Sequence, residues 1–387
     1  MPGEEDPIRE RVRRHFSADA DRADVWKGLE RFLNTEAYLN LGFSRWYQPH
    51  WLPSSQRRLV DFVGWLLMRE IGDRPASRSG QSVVPSDRDL VRSFARFETG
   101  RLGRSLESAG WVLDVLRWGP PIRPDITDPG GQSERGLDTS MTATDFNSLT
   151  TLERPILDLG SGRGGPGIRL SERWGLDVVG VDLVPSNVVT ARENVRTAGE
   201  DRTPEFLVGD AARLPLASGS MGACTAIDSL VYMGEKRAVF EEVARVLERD
   251  GVLVLTDLVT AGDGAGSEGA TSPGDTKDDA DSHPVSQFAA AWDMPELVTR
   301  ADLTEQLRAA GFDVRMVAGI SQQSIRQFRK YATVYTWLAS GPFAPGFREI
   351  CRRLGMDEAV VTEQVRAARH ALPHLEHVAI VAVPADS

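Results

Sequence analysis

The strongest constraint on this chain's fold is an alternation that begins at Pro155. Seven short, β-rich apolar runs lie at Ile156–Leu159, Leu176–Val181, Glu205–Val208, Ala223–Ile227, Val252–Thr256, Asp313–Val317 and Val378–Val383. Helical patterns separate them, including Pro185–Ala198 and Ala238–Glu248. In the second of these, Val239, Phe240, Val243, Val246 and Leu247 make one apolar stripe. A strand followed by a helix and then another strand forms a parallel pair with a crossover. The pattern therefore predicts a doubly wound α/β fold around a mostly parallel sheet of about seven strands.

The rest of the 387 residues fits around that unit. Apolar residues are 41% and charged residues 26% of the chain, enough for a packed core. Residues 1–150 read as a mainly helical N-terminal region, with Phe62, Trp65, Leu66 and Ile71 near helical spacing, as are Leu106, Trp111, Val112 and Val115. Asp73–Asp89 and Pro120–Thr151 read as polar loops, and the nucleotide-type unit is expected over 151–387. Thr260–Pro284 interrupts it with six acidic residues, one Lys and no large apolar side chain. Such a stretch buries too little surface to order itself, so a disordered acidic loop is expected at 260–284. It reads either as a lid or as a solvated insertion.

Composition also excludes. A net charge of −11 argues against a nucleic-acid partner. Two cysteines make neither a disulfide framework nor a four-Cys zinc site, and Cys224 reads as a core residue. The longest apolar run, near Phe62–Met68, is far shorter than the ~20 residues that span a bilayer. The charged N-terminus has no apolar signal region. The expectation is a soluble, cytoplasmic protein without membrane insertion.

The chemistry concentrates at strand tips. Ile156–Gly167, ILDLGSGRGGPG, is a strand, a Gly-rich turn and a helix start. Bare backbone at Gly160 and Gly162 lets a ligand approach closely, and the helix N-terminus adds partial positive charge. A nucleotide-like ligand follows. Gly160, Gly162 and Gly165 also satisfy dinucleotide spacing, so a nicotinamide dehydrogenase stays open at this point; a P-loop does not, for want of Gly-Lys-Ser/Thr. Asp182 ends the second strand, where a carboxylate accepts from both ribose hydroxyls or caps a helix. Asp210 and Ala211 begin GDAARLP at the third strand tip, where one carboxylate and one N–H suit an adenine edge. Asp228 ends the fourth strand, RVLERDGVLVLTD reads as helix, turn at Gly251 and strand, and Gly311 in AGFDV reads as a helix cap.

Taken in order, DLGSGRGG, VVGVD, GDAARLP, IDSL, RVLERDGVLVLTD and AGFDV resemble a class I S-adenosylmethionine-dependent methyltransferase over roughly Pro155–Ile320. The likeness is to small-molecule enzymes of the sarcosine/dimethylglycine, tocopherol and sugar O-methylating types. Tyr38–Phe43, YLNLGF, is similar to the N-terminal segment that such enzymes fold over the cofactor; an ordinary helix end is the alternative. The resemblance implies a Rossmann-like fold, S-adenosylmethionine as cofactor and a small-molecule acceptor methylated at N, O or C. By the same likeness, Asp158, Gly160, Ser161 and Gly162 surround the methionine moiety, Asp182 with Leu183 holds the ribose, Asp210 and Ala211 hold adenine, and Asp228 faces the substrate. A non-catalytic cofactor-binding module is the third reading.

No general base is assigned from sequence. His50 sits among aromatics and reads as structural, while His370, His374 and His377 read as surface residues. Asp228 and Asp257 form a conceivable metal pair, but no metal is expected. Phe328, Tyr331, Tyr335 and Trp337 could line an acceptor pocket, although their helical spacing favours packing.

Overall fold

The computed structural model describes residues 7–16, 41–44, 52–73, 86–94, 152–198, 204–261 and 283–385, apart from positions 88, 343 and 354. Among the described residues ahead of the sheet lie the helices α1 (Pro7–Phe16) and α2 (Leu52–Asp73). The alternating unit then runs β1 (Ile156–Leu159), α3 (Gly165–Trp174), β2 (Val178–Asp182), α4 (Pro185–Ala198), β3 (Glu205–Val208), β4 (Met221–Ile227), α5 (Lys236–Val246) and β5 (Leu247–Thr260). It continues as α6 (Pro284–Ala291), α7 (Arg300–Ala309), β6 (Phe312–Gly319), α8 (Ile325–Ser340), α9 (Ala344–Arg353), α10 (Glu358–Ala371) and β7 (Leu375–Pro384).

The seven strands form one sheet in the order β3-β2-β1-β4-β5-β7-β6. β1 pairs in parallel with both β2 and β4, whereas β7 is antiparallel to β5 and β6. All seven apolar runs are strands, and Pro185–Ala198 is a helix with the expected bounds. The turn expected at Gly251 is instead an irregularity inside β5, because Met221 pairs with Leu247 and Ala223 already pairs with Val252. Gly311 ends α7 with φ +89°, as a helix cap requires.

Both faces of the sheet are covered, so its strands read as nearly continuous apolar runs. Period-2 alternation divides them. Leu157, Leu159, Cys224 and Leu253 pack with α5 and α7 on one face, through Val239, Phe240, Leu303 and Leu307. Ile156, Val178, Ala223 and Val252 pack on the other face with α2 and α3, through Phe62, Leu66, Leu170 and Trp174. The N-terminal helix α2 is thus part of the layered core. Its Phe62, Trp65, Leu66 and Ile71 are buried, as their spacing implied. A polar clamp fixes it as well: buried Asp61 accepts from Arg169 Nε at 2.9 Å and Nη2 at 3.0 Å, and Arg173 Nε lies 3.3 Å away.

Leu106, Trp111, Val112 and Val115, the Pro120–Thr151 stretch, most of Asp73–Asp89 and positions 262–282 of the acidic stretch lie outside the described residues. Among the described residues no helix is long and apolar enough to cross a membrane.

Removing the clamp tests its worth. Asp61→Ala strands two arginines at the α2–α3 contact and should cost about 1–3 kcal/mol. The urea midpoint should fall with an unchanged slope.

Candidate functional site

The strand order reverses direction between β1 and β4, and a cleft opens there at the carboxyl ends of the strands, where open α/β sheets bind ligands. Its free space is about 1090 Å³, part of it shared with open solvent. Gly160, Ser161 and Gly162 form one wall, and Asp182, Leu183, Asp210, Ala211 and Asp228 line it. Eight of the nine residues expected from sequence therefore converge on one cleft. Asp158 does not line it. Its side chain is buried under the glycine turn.

The turn is built for clearance. Gly160 has φ +69°, and a Cβ there would sit 2.5 Å from the Ser229 Cβ. Only glycine combines that conformation with that approach. The turn's N–H groups, expected to face a ligand, are committed within the chain. Gly160 and Ser161 donate to the Val181 carbonyl at 2.8 and 3.1 Å, and Gly162 donates to Asp182 Oδ2 at 2.9 Å. The other Asp182 oxygen accepts from Val184 N–H at 2.9 Å and Asn187 Nδ2 at 3.2 Å. Asp182 thus fixes the turn to β2 while lining the cleft.

Burial decides the charges. It pushes the Asp158 carboxyl up to about 7; the nearby Gly167 N–H opposes this, the Asp182 charge adds to it, and the Thr225 hydroxyl opposes it. Asp158 Oδ2 has no full hydrogen-bond partner among the described residues, so the offset is partial. Asp182 is raised too, by burial against its three hydrogen bonds.

Asp228 goes the other way. Burial works to raise it, but the charge and hydrogen bond of His377, the Leu41 N–H and the Thr256 hydroxyl hold it below the usual carboxylate range. Its Oδ1 accepts from His377 Nε2 and Thr256 Oγ1, each at 2.8 Å, and its Oδ2 accepts from Leu41 N–H at 2.8 Å. His377 Nδ1 lies 2.7 Å from Ser324 Oγ, whose own proton goes to the Ile320 carbonyl at 3.1 Å. Both ring nitrogens of His377 are thus engaged, one by the carboxylate and one by a hydroxyl. Asp228 also adopts φ +53°, a strained conformation for a residue with a Cβ, which the surrounding bonds sustain.

Expecting His377 at the surface was wrong. It is fully buried. The signal was the apolar run around it, HVAIVAV, which belongs to a strand buried on both faces. His374 is half-buried and His370 exposed. His50 and Tyr38–Asn40 lie outside the described residues, but Leu41 N–H reaches Asp228, and Phe43 is buried in the core, stacked on Phe62 at 4.9 Å. Sequence reading also passed over α1. Its Ile8, Val12 and Phe16, a stripe at four-residue spacing, line the cleft with Tyr232 and Met233, and Arg9 Nε pairs with Asp210 Oδ2 at 3.0 Å. Phe328 and Tyr335 pack among helices, and Trp337 is exposed; none of the three lines the cleft. Among the described residues no group of three potential metal ligands converges, at Asp228 and Asp257 or elsewhere.

The chain is similar to known proteins. Residues 157–255 match the methyltransferase domain family. The chain is 30% identical over 188 residues to methyltransferase GfsG of Streptomyces halstedii, covering 45% of this chain and 66% of that protein. It is 27% identical over 233 residues to 27-O-demethylrifamycin SV methyltransferase of Amycolatopsis mediterranei, covering 60% and 80%. An O-methyltransferase of Pyrenophora dematioidea is 28% identical over 196 residues, covering 49% and 68%. The structure of geranyl diphosphate C-methyltransferase from Streptomyces coelicolor superposes with a TM-score of 0.53 at 15% identity, covering 99% of this chain and all of that one, a likeness of fold. Residues 157–255 are thus a methyltransferase domain, and the chain is similar to small-molecule methyltransferases; these likenesses support S-adenosylmethionine as the cofactor.

Two substitutions test the electrostatics. His377→Leu leaves Asp228 buried without its partner and should cost about 3–5 kcal/mol in unfolding experiments. Asp158→Asn tests linkage. A carboxyl raised from 3.8 to about 7 stabilises the fold fully below its unfolded value, and the effect is lost as pH rises between the two. Wild type should therefore lose stability against the variant across that window, by on the order of 4 kcal/mol at most. Parallel curves would refute the assignment.

Proposed function

We propose that this chain methylates a hydroxyl group of a small, largely apolar acceptor. The observation that carries this reading is the cleft itself, lined both by a bare-backbone turn with the carboxylates of Asp182, Asp210 and Asp228 and by the apolar side chains of Ile8, Val12, Phe16, Tyr232 and Met233. The donor set fits an adenosyl-sulfonium. Carboxylates accept from ribose hydroxyls and an adenine amine, anionic Asp228 complements a cation, and the apolar side chains exclude water.

Within this reading, Gly160, Ser161 and Gly162 give clearance for the methionine moiety, and Asp158 supports them from below. Asp182 and Leu183 hold the ribose, Asp210 and Ala211 the adenine edge, and Asp228 faces the acceptor side. When bound, S-adenosylmethionine supplies an electrophilic methyl group. The chain's part is alignment and a dry site, since charge is lost in the transfer. The N-terminal region supplies the cover, because α1 reaches Asp210 through Arg9 and Leu41 reaches Asp228. Oxygen as the methylated atom is supported by relatives whose names specify O-methyl chemistry. The acidic balance argues against a nucleic-acid partner.

Calorimetry with S-adenosylhomocysteine and with NAD should show binding of the first alone. A tritiated-methyl screen over phenols, alcohols, sugars, amines and lipids should then label an oxygen. Preferential binding of NAD would overturn the class of ligand; label on nitrogen or carbon alone would overturn the choice of oxygen.

A further inference from the structure

A second histidine–carboxylate pair lies outside the expected cofactor residues. His15, in the last turn of α1, places Nδ1 3.1 Å from Asp293 Oδ2, across 278 residues of sequence. The His15 side chain is 1% exposed. Its Nε2 is buried and finds no hydrogen-bond partner among the described residues. A histidine kept only for structure normally satisfies both nitrogens when buried. Here one nitrogen is oriented by a carboxylate and the other is left bare. That is the arrangement of a general base held in one tautomer.

Its surroundings point to the reaction. The His15 ring packs edge-on against Phe16 at 4.7 Å and lies 6.0 Å from the Tyr232 ring. Phe16 and Tyr232 both line the cleft, and they pack on each other at 4.8 Å. One aromatic layer therefore separates the pair from the cofactor site. The position along α1 also fits. Arg9 meets Asp210 at the end of the cleft proposed for adenine, and His15 lies six residues on, ~9 Å along the helix axis. Tyr232 follows Asp228 by one short turn at Leu230–Tyr232. His15 thus stands at the end of the cleft proposed for the acceptor. Asp293, just after α6, takes φ +53°, a conformation that a residue with a Cβ rarely adopts, and it aims its carboxylate at His15.

We propose that His15 is the general base for the acceptor hydroxyl, with Asp293 as its positioning residue. This rests on the reading of the chain as an O-methyltransferase. As the acceptor enters, it displaces the Phe16–Tyr232 layer and brings its O–H to Nε2. The oxygen–methyl bond forms as the methyl–sulfur bond breaks, and that electron pair stays on sulfur as a neutral thioether. The hydroxyl proton passes to Nε2, and the resulting imidazolium is paired with the Asp293 carboxylate.

Two readouts on the full-length protein saturated with S-adenosylhomocysteine decide it. Nitrogen-15 histidine spectra at about pH 8, with the His15 signal assigned by its loss in His15→Gln, should show a protonated Nδ1 and a bare Nε2. A protonated Nε2 overturns the proposal. With the acceptor found in the tritium screen, His15→Gln should lower kcat about a hundredfold. Affinity for S-adenosylhomocysteine should be unchanged. Raising the pH to about 10 should recover rate on a phenol, which then ionises without help. Asp293→Asn should shift the pH–rate profile, an effect that loss of packing alone does not produce. Unchanged kcat in His15→Gln with cofactor binding intact overturns the base. Failure of wild type to bind S-adenosylhomocysteine overturns the methyltransferase reading beneath it.

Discussion

One carboxylate joins four distant parts of the chain. Asp228 stands at the tip of the central strand β4 and takes hydrogen bonds from Leu41, Thr256 and His377. Those residues belong to the N-terminal segment, β5 and the antiparallel β7. The strained backbone at Asp228 is held by this set of bonds, and so is the position of Leu41 beside it. A buried charge with three donors is stable in place, whereas the same charge with a donor missing is not. The geometry of the cleft's inner end follows from that condition.

The carboxylates of the site divide by environment. Asp158 has lost solvent with little in return and titrates near neutrality, while Asp228 takes hydrogen bonds from His377, Thr256 and Leu41 and is held below the usual carboxylate range. Asp182 lies between them, raised by burial but bonded on both oxygens. A sulfonium ligand brings a positive charge into this group, so the acidic lining complements the cofactor the family uses. The same acids stiffen the scaffold. Asp182 ties the glycine turn to β2, which leaves the turn's role as clearance with few donors of its own to spare.

The fold was legible because its signals are local. Strand–helix alternation and period-2 burial depend on neighbours in sequence, and each expected run became a strand. The cleft residues were legible for a related reason: Gly160, Asp182, Asp210 and Asp228 each end or follow a strand, and parallel strands bring such ends together. The stripe of Ile8, Val12 and Phe16 was equally present in the sequence, yet a ten-residue charged helix carries no statement of what it covers. His377 was misplaced because its polarity was weighed above the buried strand around it.

The amino-acid order by itself determined the layered α/β sheet, the glycine turn and the row of strand-tip acids, since periodicity and turn chemistry act over a few residues. Only the tertiary structure decided which histidines meet which acids. The pairs His377–Asp228 and His15–Asp293 span 149 and 278 residues, and no local pattern encodes a contact at such separation. The charge states also waited on the fold, because burial and the count of converging donors, rather than residue type, set whether an aspartate is ionised.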